Sequence, residues 1–170
     1  KIAADGTYAA PDGTEHSVAI ITAKVGDPSG TARVRVVPPL PWKWDFENLD
    51  DVPVSWIGGR VRHEVREVDG NKVLVKRDNI PTTPGNFTKL GTRSRVFVGQ
   101  DDLADYTIQA DALLTEKEGK MPDLGIINQR YTLLVLGQAQ RVRVQTWDSQ
   151  LRMAKTIDFE WKPNTWYTMK

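Results

Sequence analysis

The sequence predicts an all-β chain, folded as an antiparallel β-sandwich. Three observations support this. Period-two alternation of apolar and polar residues recurs along the chain, clusters of turn-forming residues separate the alternating runs, and no stretch carries the 3.6-residue period of an amphipathic helix. In residues 31–37, Ala32, Val34 and Val36 fall on one face while Thr31, Arg33 and Arg35 fall on the other, the pattern of a half-buried strand. Residues 18–25 form the run before it, and Pro28-Ser29-Gly30 is the expected turn between them. The same alternation predicts strands over 72–76, 93–98, 106–112, 141–145 and 157–161. Asp12-Gly13, Asp69-Gly70-Asn71, Pro84-Gly85-Asn86 and Lys162-Pro163-Asn164 are the turn signals between runs. Residues 100–105 are expected to make one short turn.

Composition narrows the function. The chain has 170 residues, a formal charge of +1, no cysteine and two histidines. That excludes a disulfide framework, a cysteine-based zinc site and a thiol nucleophile. Balanced charge excludes the basic footprint of a nucleic-acid binder. No apolar run reaches the ~18 residues of a membrane-spanning helix. The run Pro38-Pro39-Leu40-Pro41 cannot sit in a central strand and favours a stiff connector. It divides the chain into residues 1–37, a linker over 38–41, and residues 42–170. The first piece is too short for an independent core, so it is expected to be the end of a preceding domain. The sequence closes on Trp166-Tyr167-Thr168-Met169-Lys170, which reads as a strand, so completing strands are expected from elsewhere in the protein or from a partner.

Two resemblances give these pieces an identity. In the first, Gly6-Thr7-Tyr8-Ala9-Ala10-Pro11, the run Val18–Gly26 in numbers 18–26, and Gly30-Thr31-Ala32 resemble the last strands of a bacterial immunoglobulin-like domain, which implies a spacer in an extracellular protein. In the second, Asp45-Phe46-Glu47, the hairpin Asp69-Gly70-Asn71-Lys72-Val73-Leu74, Asp105-Tyr106 with Ile108, Gly125-Ile126-Ile127 with Arg130, and Trp161 with Asn164-Thr165-Trp166-Tyr167 follow one another. That order resembles the concanavalin A-like jelly roll of laminin-G type, and within it the 3-keto-disaccharide hydrolase-like group. The combination is similar to the C-terminal region of bacterial proteins that carry a PQQ-binding-like β-propeller. It implies an extracytoplasmic location (periplasm, outer membrane or cell surface) and a β-propeller of the same protein or complex as neighbour. It also implies core positions for Trp56, Trp161 and Trp166.

Candidate chemistry is sparse. Asp158 and Glu160 alternate on one strand face, about 7 Å apart, within the range of paired glycosidase carboxylates. A solvated outer face is the better reading, and the same holds for Asp45 and Glu47. His63 has no serine or cysteine context in its neighbourhood and cannot be assigned as a base. His16 reads as a solvated loop residue. No catalytic residue is assigned, and enzymatic activity is not expected. Asp101, Asp102 and Asp105 offer hard oxygen ligands suited to Ca²⁺, as laminin-G-type domains use at the sandwich rim, although such carboxylates commonly cap turns. Among the six tryptophans, Trp147 falls by alternation on the Arg141, Arg143 and Gln145 face. There an aromatic face with Gln129, Arg130 and Arg143 could hold a sugar. The expected function is non-catalytic binding of carbohydrate or a partner protein. The alternatives are a hydrolase acting on sugar derivatives and a structural subunit packed on the propeller.

Overall fold

A computed structural model describes residues 2–13, 15–77, 94–147 and 152–170. Among them the chain is all-β, with ten strands, antiparallel pairing throughout and no helix. The contacts divide it into two compact units, Lys1–Gln100 and Asp101–Lys170.

The first unit holds two hairpins. β1 (Ser17–Lys24) pairs with β2 (Ser29–Val36), and β3 (His63–Val68) pairs with β4 (Asn71–Lys76). The first turn sits at Val25–Pro28, slightly ahead of the expected Pro28-Ser29-Gly30. Gly26 takes the left-handed conformation there (φ 64°), so Ser29 and Gly30 join the strand. Asp69 and Gly70 (φ 52° and 81°) form a two-residue loop with both residues left-handed, a type I′ turn matched to strand twist. The register of the first hairpin places Ser17 opposite Val36, so the chain before β1 and the chain after β2 leave from the same end. His16 therefore meets Trp42, just beyond the proline run, at a ring-centroid distance of 5.2 Å. Of the predicted strand over 93–98, the described part contributes only Phe97, in an isolated bridge to Ile57. The Pro84-Gly85-Asn86 turn lies outside the described residues.

The second unit is sandwich-like. β6 (Asp123–Asn128), β7 (Tyr131–Leu136), β8 (Arg141–Thr146) and β9 (Ala154–Asp158) form a four-stranded meander, and β5 (Ala110–Leu113) pairs with β10 (Trp166–Met169). Cross-strand register puts Leu124, Ile126, Leu133, Val135, Val142 and Val144 on one face of the meander. Most of that face packs with Ala112, Leu114, Trp161 and Met169 in one core cluster. Tyr167 and Met169 lie opposite Ala112 and Ala110, so β5 and β10 turn the same side inward.

Two predicted strands are displaced. Pairing at residues 106–112 begins only at Ala110, because β10 supplies four partners and no more. The strand expected over 157–161 is β9, which ends at Asp158 opposite Arg141, the first residue of β8. Beyond it the Trp161 amide donates to Gln140 Oε1 at 2.6 Å, which turns the chain out of the sheet and inserts the indole beneath it. Trp161 is accordingly 4% exposed. Trp166, given a core position by the resemblance, is 50% exposed because it alternates with the inward Tyr167.

These positions predict opposite outcomes for two tryptophans of the same segment. Trp161→Ala should lower unfolding free energy by about 3–5 kcal/mol, the usual cost of emptying a buried indole site. Trp166→Ala should cost below about 1 kcal/mol, in keeping with a surface position. Urea unfolding followed by circular dichroism measures both, and equal losses would show the inward and outward assignment of β10 to be wrong.

Candidate binding site

The shared core leaves part of the meander face uncovered. β5 and β10 lie over Leu133, Val135 and Val142, while towards β9 the same face carries Val144 and Ile157, which are 36% and 54% exposed. Where cover stops there is an open trough of about 340 Å³. Its walls include Leu133, Val142, Phe159, Trp161, Tyr167 and Met169, with Lys170 at the rim. Trp161 and Tyr167 stack with ring centroids 4.0 Å apart and planes at 23°, and Phe159 lies 5.9 Å from Trp161. The Trp161 Nε1–H is buried and has no acceptor among the described residues. An apolar wall of this kind can accept a ligand that brings apolar groups. Alternation in the sequence reveals the apolar face, but the incomplete cover depends on how long β5 and β10 are.

The residues singled out from the sequence sit elsewhere. Trp147 is 39% exposed and its amide donates to the Arg130 carbonyl at 3.0 Å, so these two meet where β7 and β8 leave the ladder. Gln129 takes the left-handed position of the β6–β7 turn (φ 51°), and its amide side chain donates to the Leu103 carbonyl. Arg143 lies inside β8, with Nε donating to Thr156 Oγ1 at 3.1 Å. The structure thus brings Trp147 and Arg130 together and gives Gln129 and Arg143 partners of their own. Asp101, Asp102 and Asp105 are exposed. Among the described residues no group of three or more histidine, aspartate or glutamate side chains could hold a metal ion. None of the described helices is long and apolar enough to cross a membrane, since there is no helix. Asp158 pairs with Arg141 Nε at 3.0 Å. Glu47 accepts from the Lys72 amide at 3.2 Å, and Asp45 accepts from the Glu47 amide at 3.2 Å.

Both histidines have more structure around them than the sequence suggests. His16 lies in a run of ring contacts, 5.2 Å from Trp42 and 4.9 Å from Trp44, and Trp44 in turn lies 5.1 Å from Trp56. Its Nδ1 is 3.0 Å from Ser55 Oγ, and Trp42 Nε1 donates to the Pro38 carbonyl at 2.8 Å. His63 Nδ1 lies 3.1 Å from the Gly59 carbonyl, which can only accept, so this nitrogen carries the proton. Its Nε2 is then free to accept from Ser94 Oγ at 3.4 Å. The serine that the sequence neighbourhood lacked is thus supplied 31 residues away. A separation of 3.4 Å exceeds the usual reach of a nucleophile–base pair, and the contact pins Ser94 to the β3 hairpin.

Comparison with protein-family models, with curated proteins and with solved structures finds no match to this chain.

Burial pushes the His16 pKa down. Burial does the same to His63, aided by the nearby Lys76 and Arg62 charges and opposed by the Gly59 hydrogen bond. With folded pKa values below the unfolded one, the unfolded chain binds more protons, so stability should fall as pH drops below about 6.5 and level off once both folded rings are protonated. NMR titration of the two Cε1–H signals should give both midpoints below that of a free histidine. A midpoint above it for either ring would show that its surroundings are not desolvating.

Proposed function

We propose that this chain is a non-catalytic binding module whose ligand, a partner protein or a carbohydrate, covers the open apolar face of the second unit. The observation that carries this reading is the incomplete cover. Phe159, 37% exposed, lines the trough with Trp161, which is 4% exposed, and Ile157, 54% exposed, lies opposite the trough residue Val142. Contiguous apolar surface beside a formed core marks a place where something binds. The candidate acids support binding over hydrolysis, since Asp158 is engaged by Arg141 and Glu47 by the Lys72 amide. The resemblance to an immunoglobulin-like spacer followed by a concanavalin A-like jelly roll supports an extracytoplasmic setting beside a β-propeller. A second reading places carbohydrate at Trp147, which is 39% exposed and whose amide donates to the carbonyl of Arg130 in the β6–β7 turn.

One experiment separates the two surfaces. The 170-residue chain, Phe159→Ala and Trp147→Ala are screened against a glycan array and a phage-displayed random peptide library. Ligands of the open face should weaken by about tenfold or more on Phe159→Ala and be unchanged by Trp147→Ala, a difference of about 1.4 kcal/mol or more. Glycans lost only on Trp147→Ala would move the site to the rim. Ligands indifferent to both substitutions would dismiss both surfaces.

A further inference from the structure

We propose that the occupant of the open face is an extended β-strand of a partner protein, which pairs with the free edge of β10 and lays alternate apolar side chains over Val144 and Ile157. This rests on the reading that the open face binds a ligand, and it names that ligand's chemistry.

The four edge strands of the second unit differ in one respect. β6 carries Asp123 and Gly125, β9 carries Lys155 and Asp158, and β5 carries Asp111. Charged residues and glycine on an edge discourage further pairing. β10, Trp166-Tyr167-Thr168-Met169, has no charged residue, glycine or proline, and among the described residues it pairs with β5 on one side only. The undefended edge is also the one that borders the trough, because Tyr167, Thr168 and Met169 line it and no residue of β5 does. A strand added there, one strand spacing of about 4.8 Å from β10, extends the two-stranded sheet over the uncovered part of the meander.

Two features fit a polypeptide strand better than a sugar. The edge offers backbone donors and acceptors at strand spacing, which main-chain amides match one for one. Alternation in the added strand sends every second side chain to the apolar face. Lys170 lines the trough, Lys155 lies two positions from Ile157 on the same face of β9, and neither forms an ion pair among the described residues. An apolar strand flanked by acidic residues is therefore the complementary partner.

The test uses the whole chain and an end-capped heptapeptide in which valine alternates with threonine between terminal aspartates. Two further versions carry N-methyl groups on the odd or the even amides, each blocking one edge of the peptide while keeping its side chains. The parent peptide should bind and slow amide exchange across residues 164–170 by about tenfold or more. One N-methylated version should bind like the parent and the other should lose about tenfold or more, because only one peptide edge faces β10. The double variant Lys155→Glu, Lys170→Glu should weaken the parent several-fold at low salt. Failure of the parent to bind, equal binding by both N-methylated versions, or unchanged exchange at 164–170 would overturn the strand. If glycans or library peptides still bind in a Phe159-dependent way in that case, the binding-module reading survives without it. A doubled mass in solution, with β10 protected in the absence of peptide, would assign the edge to a second copy of this chain.

Discussion

The stack of Trp161 on Tyr167 is the contact on which the second unit depends. One ring comes from the connection between β9 and β10 and the other from β10, and closing them at 4.0 Å fixes where the chain leaves the four-stranded sheet and enters the two-stranded one. Polar contacts hold the connection in that path. Gln140, left-handed in the β7–β8 turn (φ 52°), accepts the Phe159 amide on its carbonyl and the Trp161 amide on its side chain. The Lys162 amide donates to the Tyr167 hydroxyl, and the Asn164 amide to the Leu114 carbonyl at 2.8 Å. Each satisfies a main-chain group that the crossing would otherwise leave unpaired. The price of this geometry is coverage, since β10 is aligned with a four-residue β5 and reaches only part of the larger sheet.

The first unit solves a similar problem with aromatic edges in place of sheet faces. Its hairpins expose most of their outward surface, and its most buried side chains include Val52 and Ser55 from the irregular segment between them. Ring contacts, edge-to-face apart from the tilted His16–Trp44 pair, run from Trp42 and His16 through Trp44 to Trp56 and Phe46, which joins residues before β1 to residues after β2. Such contacts favour perpendicular rings because the positive ring edge meets the negative face. They also explain why His16 is desolvated although it flanks a run of turn residues.

Local signals were legible in the sequence where geometry is local. Asp69-Gly70 specified its type I′ turn because both residues tolerate positive φ, and β2, β4 and β8 form where the sequence alternates, although in β8 Gln145 is buried and Val144 exposed. The all-β class and the antiparallel pairing followed from such features. β7 was harder, because Tyr131–Leu136 is a central strand with a nearly continuous apolar run and no alternation to mark it. Extent was not legible at residues 106–109, since strand length there is set by a partner some 60 residues away in sequence. Of the candidate site, Trp147 and Arg130 meet through a main-chain hydrogen bond that alternation does not specify, and the trough depends on layer coverage, which no local pattern encodes. The Ser94–His63 contact is equally invisible, because it spans 31 positions.

The incomplete layer and the uncharged edge have one physical explanation between them. A sheet that presents apolar residues to water gains about 25 cal/mol for each Å² later covered, but only if the covering element satisfies its own main-chain groups as it loses water. A helix or loop laid over Val144 and Ile157 could meet the apolar demand and still leave the β10 edge unpaired. A strand meets both demands at once, since its ladder bonds and its inward side chains are delivered by the same extended geometry. Defending β6, β9 and β5 while leaving β10 open directs that association to one place, and Lys170 at the trough together with Lys155 on β9 disfavours partners that lack acidic flanks.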